Sequence, residues 1–267
     1  MTGRPGSARP SLRAAGAPIG AACLAMAALA AMPVHAQTGR ETWSGPYGGL
    51  TFGLSVSDGR AERGRVVGDI LETDVRNGLF PSEIDEGDSG VLGGVSVGYN
   101  VQAPDPRLVG GVEADLVLLD QDRTLSFSRI DPEIFVGSAT NSTYTTELDV
   151  LATLRVRAGY AVGTTLVFAT GGLAAGQVEN DLGIAIPDVG FATRSFRQED
   201  VLWGYVAGVG VERQLASGLR VRGEALWYDL EDVAIEATDP AAFPGQSLRY
   251  EFSNDGAMLR VGVHVPF

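Results

Sequence analysis

Nine charged residues recur at every second position inside otherwise apolar stretches. They are Glu113 and Asp115 in "VEADL", Arg155 and Arg157 in "LRVRAGY", Glu212 in "VERQL", Arg220, Arg222 and Glu224 in "LRVRGEAL", and Arg260 in "MLRVGV". A spacing of two puts such residues on one side of an extended chain. Two chemistries are open to them. A carboxylate left over among the arginines would serve proton transfer or line an ion path. A matched set would instead neutralise itself as a plug, because a closed barrel of eight strands is just wide enough inside for side chains to fill. The turn "QLASG" sets Glu212 opposite Arg220, and Glu113 falls near Arg155 on the neighbouring segment. These matched signs favour the plug.

Other reactive groups are scarce. Cys23 is the only cysteine, and the two histidines are His35 and His264. Arg4, Arg9 and Arg13 precede an Ala-rich apolar run that ends at Val34-His35-Ala36, the pattern of a secretory signal peptide. Cleavage after Ala36 is expected, giving a leader over 1–36 and one mature domain over 37–267. The mature chain then holds no thiol for a disulfide, a thiolate metal site or a cysteine nucleophile, and His264 is its one imidazole. No cofactor is expected. The acidic runs "SEIDEGDSG" and "DLEDVAIEATD" lack the spaced oxygen ligands and central glycine of a calcium loop.

The charge balance excludes further classes. Formal net charge is −13, lysine is absent, and loss of the leader arginines makes the mature chain more acidic still. Phosphate neutralisation needs clustered cations, so nucleic acid is excluded as a partner. No mature segment approaches the length of apolar sequence needed for a membrane-spanning helix. A membrane, if entered, is crossed by strands.

The elements that position the charges follow from period-two patterning. In 146–160, Leu148, Val150, Ala152, Leu154, Val156, Ala158 and Tyr160 share one face, while Glu147, Asp149, Thr153, Arg155 and Arg157 share the other. Seven further segments alternate, at 47–56, 91–101, 108–119, 166–178, 201–213, 219–228 and 258–267. The outward side of 166–178 stays open, since apolar residues fall on both faces there. Short turns ("QAPDPR", "AVGTT", "QLASG") alternate with four long connections at 57–90, 120–146, 179–200 and 229–257, which read as solvated acidic loops. Strict alternation of short and long is expected of an up-and-down antiparallel barrel with short periplasmic turns and long outer loops. The fold expected is therefore all-β, an eight-stranded up-and-down antiparallel transmembrane β-barrel.

Three features turn the apolar face toward lipid rather than inward. Glycines (Gly94, Gly98, Gly208, Gly210) lie on the polar face, as a narrow lumen requires. Tyr47, Tyr99, Tyr160, Tyr205 and Trp227 sit where aromatic girdles belong. The last segment, "RVGVHVPF", carries Arg260, Gly262, Val265 and Phe267 in the arrangement of a C-terminal strand read by the outer-membrane barrel-assembly machinery.

"WSGPYGGLTFG", "GGVSVGYNVQ" with "LVGGVEADL", "LRVRAGYAV", "FATGGLA" and "VAGVGVERQL" resemble, in that order and spacing, the eight-stranded outer-membrane β-barrel proteins of proteobacteria, the opacity-type and immunogenic surface porin-like proteins. Relatives usually carry an aromatic residue where Ala175 and Arg213 stand. The resemblance implies a monomer in the lipids of the Gram-negative outer membrane, reached by Sec-type export. The first long connection is unusually acidic, so loop-borne functions of relatives do not carry over. The role expected is structural, supporting the envelope and displaying acidic loops, with any surface ligand of those loops left open. Alternatives are a small-solute porin and a lipid-modifying outer-membrane enzyme. The enzyme reading suffers because barrels of that kind use His and Ser facing the outer leaflet, whereas His264 lies near the periplasmic end.

Overall fold

The computed structural model describes residues 43–57, 60–85, 88–133, 137, 139–186, 191–238 and 244–267; the signal peptide expected over 1–36, with Cys23 and His35, lies outside them. In chain order the elements are β1 (Gly45–Ser57), β2 (Arg60–Val67), α1 (Asp69–Arg76), β3 (Glu83–Asp85), β4 (Asp88–Gln102), β5 (Leu108–Ile130), β6 (Ala139–Val162), β7 (Thr165–Ile186), β8 (Phe191–Gln214), β9 (Arg220–Ala237) and β10 (Ser247–Pro266). Eight of the strands form the antiparallel ring β1-β4-β5-β6-β7-β8-β9-β10, which closes through β1 and β10 from Tyr47↔Pro266 to Ser57↔Gly256. Closure removes the sheet edges within the membrane, where an unpaired backbone group would find no water.

The orientation is that of a membrane barrel. Leu154 and Val156 are 61% and 64% exposed, whereas Arg155 between them is 1% exposed. Apolar side chains therefore clothe the outside and charges fill the inside, the reverse of a soluble barrel. Tyr99 and Tyr160 mark the periplasmic rim and Trp203, Tyr205 and Trp227 the outer one, all exposed. Tyr47 departs from the girdle expected of it and is fully buried in the lumen. The open question of 166–178 is settled: Leu166, Phe168, Ala174 and Val178 face inward, and Val167 and Leu173 face lipid.

Periplasmic connections are short, as patterning predicts. Gly163 at φ 58 supplies the positive dihedral of the β6–β7 turn, and Gly218 at φ 84 does so before β9, where Leu215 N–H donates to the Leu219 carbonyl at 2.7 Å.

The outer connections differ from the solvated loops expected. β5, β6, β7 and β8 run for 23, 24, 22 and 24 residues, about twice what a tilted strand needs to cross a bilayer. Bulges explain why the patterning breaks where the strands do not. In β6 the register shifts at Asp149, opposite Leu119-Asp120 of β5, so Leu148 and Tyr144 turn inward although they lie on the other parity from Leu151 and Arg155. Leu148 is thus a core residue, not a lipid-facing one. In β9, Glu231-Asp232 bulge against β10 and inward parity passes from Leu226, Tyr228 and Leu230 to Val233, Ile235 and Ala237. Asn254 Nδ2 holds that bulge, donating to the Glu231 and Phe252 carbonyls at 3.2 Å each.

Above these bulges the barrel divides into two sheets. β5 to β8 continue as one; β9, β10, β2 and β3 form the other. Tyr144 and Leu182 of the first pack against Ile235, Tyr250 and Phe252 of the second in one apolar core, with the Tyr144 and Tyr250 rings edge-on at 5.1 Å. The first outer connection, expected to be an irregular acidic loop, supplies β2, α1 and β3. Leu71 and Val75 of α1 pack on the core beside the buried Leu79 and Phe80. Asp69 and Glu72 in the first turn of α1 and Arg76 in its last suit the helix dipole. Tyr250 Oη donates to the Pro81 carbonyl at 2.9 Å and pins this segment over the mouth.

Candidate functional site

The predicted charges converge. Cross-strand register places Glu113 beside Arg155, Asp115 beside Thr153, Glu212 beside Arg222 and Glu224 beside Arg260. Glu212 therefore faces Arg222 directly, one pair away from the Arg220 expected from the turn, because Gln214 takes the place opposite Arg220. Arg220 Nη1 remains 3.7 Å from Glu212 Oε1, against 2.7 Å for Arg222 Nη2 to Glu212 Oε2.

Three links join strands three or four places apart in the ring and so run across the lumen rather than around its wall. Arg260 of β10 reaches Asp115 of β5, Arg155 of β6 reaches Glu224 of β9 at 2.8 Å, and Arg222 of β9 reaches Glu113 of β5 at 2.5 Å. Arg155 also donates to Asp115 at 2.6 Å and to Glu113. Arg260 spans Asp115 at 3.1 Å and Glu224 at 2.7 Å. Thr153 Oγ1 donates to Asp115 at 2.9 Å, Tyr47 Oη donates to Glu113 at 2.6 Å, and Arg157 donates to Glu212 at 3.1 Å. Five arginines (155, 157, 220, 222, 260) thus interlock with four carboxylates (113, 115, 212, 224), all buried. Forked guanidinium donors suit such bridging, and desolvation is offset only because nearly every charge meets two or more partners.

Aromatic rings close the periplasmic side. The Arg157 guanidinium lies 4.0 Å from the Phe168 ring centroid, and that of Arg220 lies 5.0 Å from the Trp43 ring. Trp43, Val109, Ala161, Leu166 and Phe168 form a small apolar floor. Glycines make the room: a Cβ at Gly98 would strike the Tyr47 phenol, and one at Gly210 the Phe168 ring.

Sequence patterning missed Ser96. Its Oγ is 2.9 Å from His264 Nε2, and both residues are buried. A serine against a histidine is the start of a nucleophilic dyad. Here the pair lies sealed beside Tyr47, whose ring meets the imidazole edge-on at 5.9 Å. The signal that could have found it is parity: Ser96 alternates with the inward Gly94 and Gly98. Gly262, Val265 and Phe267 lie along β10 and its end. The Phe267 ring packs where a Cβ on Gly48 would meet it at 3.5 Å, and its N–H donates to the Pro46 carbonyl at 3.1 Å.

A sequence profile of the outer membrane protein beta-barrel domain matches residues 21–265. The chain belongs to the outer-membrane β-barrel family. As a member it is a protein of the Gram-negative outer membrane, seated in its lipids. Curated protein sequences give no match. Among solved structures, the outer membrane protein OprG from Pseudomonas aeruginosa is 11% identical, with 86% of this chain and 100% of that one covered and a TM-score of 0.50. The outer membrane protease OmpT from Escherichia coli is 10% identical, with 83% and 96% covered and a TM-score of 0.49. Neisserial surface protein A is 10% identical, with 82% and 97% covered and a TM-score of 0.31. At 11% identity the likeness to OprG bears on fold alone. The family member described here fills its lumen in two tiers, charged below and apolar above.

Proposed function

We propose that this barrel is a non-catalytic, structural and surface-displaying protein with a closed lumen, which supports the envelope and holds its acidic outer half above the membrane. The observation that carries this reading is the set of cross-lumen links, Arg155 to Glu224, Arg222 to Glu113 and Arg260 to Asp115, which occupy the interior a permeating solute would use. The arginine network around those links gives each of the four carboxylates two or three guanidinium partners, so none is disposed as a general base toward a substrate. We place leader cleavage after Ala36, membrane assembly through the C-terminal strand, and a monomeric state within the same proposal. Planar-bilayer recording of the purified protein tests it. No steady conductance is expected; long-lived, ion-selective steps would replace it with the small-solute porin reading.

A further inference from the structure

The barrel wall is forked at its outer end. β8 keeps β7 as a neighbour and β9 keeps β10, but the last pair joining β8 to β9 is Gly204↔Leu230. Among the described residues, no other element offers backbone hydrogen bonds to β8 over 196–203 or to the facing side of β9 over 231–237. Two extended edges therefore diverge from one point, just above the ring of Trp203, Tyr205 and Trp227. The Glu231-Asp232 bulge turns β9 away there and keeps the edges apart. Such edges display rows of N–H and C=O groups, which is the template used in β-strand addition.

The side chains at the fork define what fits. Leu202, Leu230 and Val233 are buried at its base. The edges at 196–203 and 231–237 carry five carboxylates (Glu199, Asp200, Glu231, Asp232, Glu236), with a sixth, Asp229, just below the fork. The one basic residue there, Arg197, is paired with Glu179 and Asp181 of β7. All six are exposed. Like charges on both prongs oppose pairing with a second copy of the same edge. They favour a cationic strand instead.

We propose that the β8–β9 fork is a β-addition site for an extended basic polypeptide segment whose alternate residues are apolar and cationic. The apolar set would lie toward Leu202, Leu230 and Val233, and the cations toward the six carboxylates. The inference rests on the reading that the outer half is displayed at the surface, and it names the class of partner displayed to.

The test uses the full mature chain folded in nanodiscs, with a synthetic peptide of alternating valine and arginine as probe. Two control peptides are alternating valine and glutamate, and a valine-arginine peptide with proline at several positions, which keeps charge but cannot donate ladder hydrogen bonds. Hydrogen exchange read by mass spectrometry should slow about tenfold or more at 196–203 and 231–237 with the valine-arginine peptide. The glutamate peptide should give no slowing, and the proline peptide should bind about tenfold more weakly or worse. The exposed-site variant Glu199→Gln/Asp229→Asn/Asp232→Asn, checked for folding by heat-modifiable mobility, should weaken binding. Equal binding of the proline peptide would show a mere charge effect and overturn the proposal. Protection confined to other strands, or the same protection from nanodisc lipid without peptide, would overturn it as well. Conductance in planar bilayers is independent of all these readouts, so failure of the closed-lumen reading is distinguishable from failure here.

Discussion

Ser96 and His264 touch across a strand that separates them. β1 runs between β4 and β10, and its Gly49 is register partner to both. With no side chain there, Ser96 Oγ reaches His264 Nε2 at 2.9 Å. A Cβ on Gly49 would run into the His264 ring. Gly49→Ala should therefore destabilise the barrel by about 1 to 3 kcal/mol, the usual cost of overpacking. His264→Ala in the same chain should return part of it. Urea unfolding in lipid vesicles measures both, and an additive double variant would refute the contact as the cause.

Glu212 receives two arginines closely and a third at longer range. Glu212→Ala strands buried positive charge and should cost about 3 to 5 kcal/mol. Because Arg222 lies at 2.7 Å and Arg220 at 3.7 Å, adding Arg222→Ala should recover more stability than adding Arg220→Ala. The opposite order would mean that the turn, not the register, governs the pairing.

Val156 points into lipid beside two buried arginines. Val156→Arg should cost about 2 to 4 kcal/mol near the bilayer midplane, whereas Thr153→Ser, which keeps the hydroxyl donated to Asp115, should cost little. Vesicle unfolding with equal tolerance at both positions would contradict the assigned faces.

Asp74 is the buried polar residue of α1, and the cap it belongs to is expected to respond to pH. Burial, with the Asp131 carboxylate second, pushes its pKa up from an ordinary 3.8 to about 6. Elsewhere in the cap, Asn77 donates to Glu133 at 2.9 Å, Arg76 donates to Thr73 at 2.8 Å and Arg63 donates to the Phe80 carbonyl. A carboxyl with a raised folded pKa holds its proton in the folded cap after the unfolded chain has lost it. The stability it lends is complete below the ordinary value and is lost as pH rises through about 6. Protease resistance of 60–85, corrected for enzyme activity, should fall between pH 4 and 7 in the wild type, and Asp74→Asn should flatten that fall. An unchanged profile in the variant would assign the titration elsewhere.

Phe267 packs beside Gly48 and donates its N–H to Pro46 at 3.1 Å. Phe267→Ala should slow assembly while export continues, read as unfolded protein accumulating in the periplasm. Normal amounts of heat-modifiable barrel in the outer membrane would remove Phe267 from the assembly signal.

Alternation in "LRVRAGY" and "LRVRGEAL" determined the membrane strands and put their charges on one face, because a period of two depends only on neighbouring residues. Glycines on the charged face and aromatic residues on the other then told inside from outside, and Gly, Pro and Ser marked the short turns. Register was not legible: nothing local distinguishes Glu212 facing Arg220 from Glu212 facing Arg222, since that choice is made by the hydrogen-bond ladder between strands. Tyr47 looked like a girdle residue by type, yet Gly98 opposite it opened a space in the lumen that only closure of the ring could reveal. The outer half was hidden for a different reason. Bulges at Asp149 and Glu231-Asp232 invert parity mid-strand, so each strand reads as ending where it merely changes face. The contact of Ser96 with His264, the packing of Tyr144 on Tyr250, and the fork between β8 and β9 join residues far apart in the chain. They are decided by how eight strands close and then divide, which is a property of the whole sheet and of no single segment.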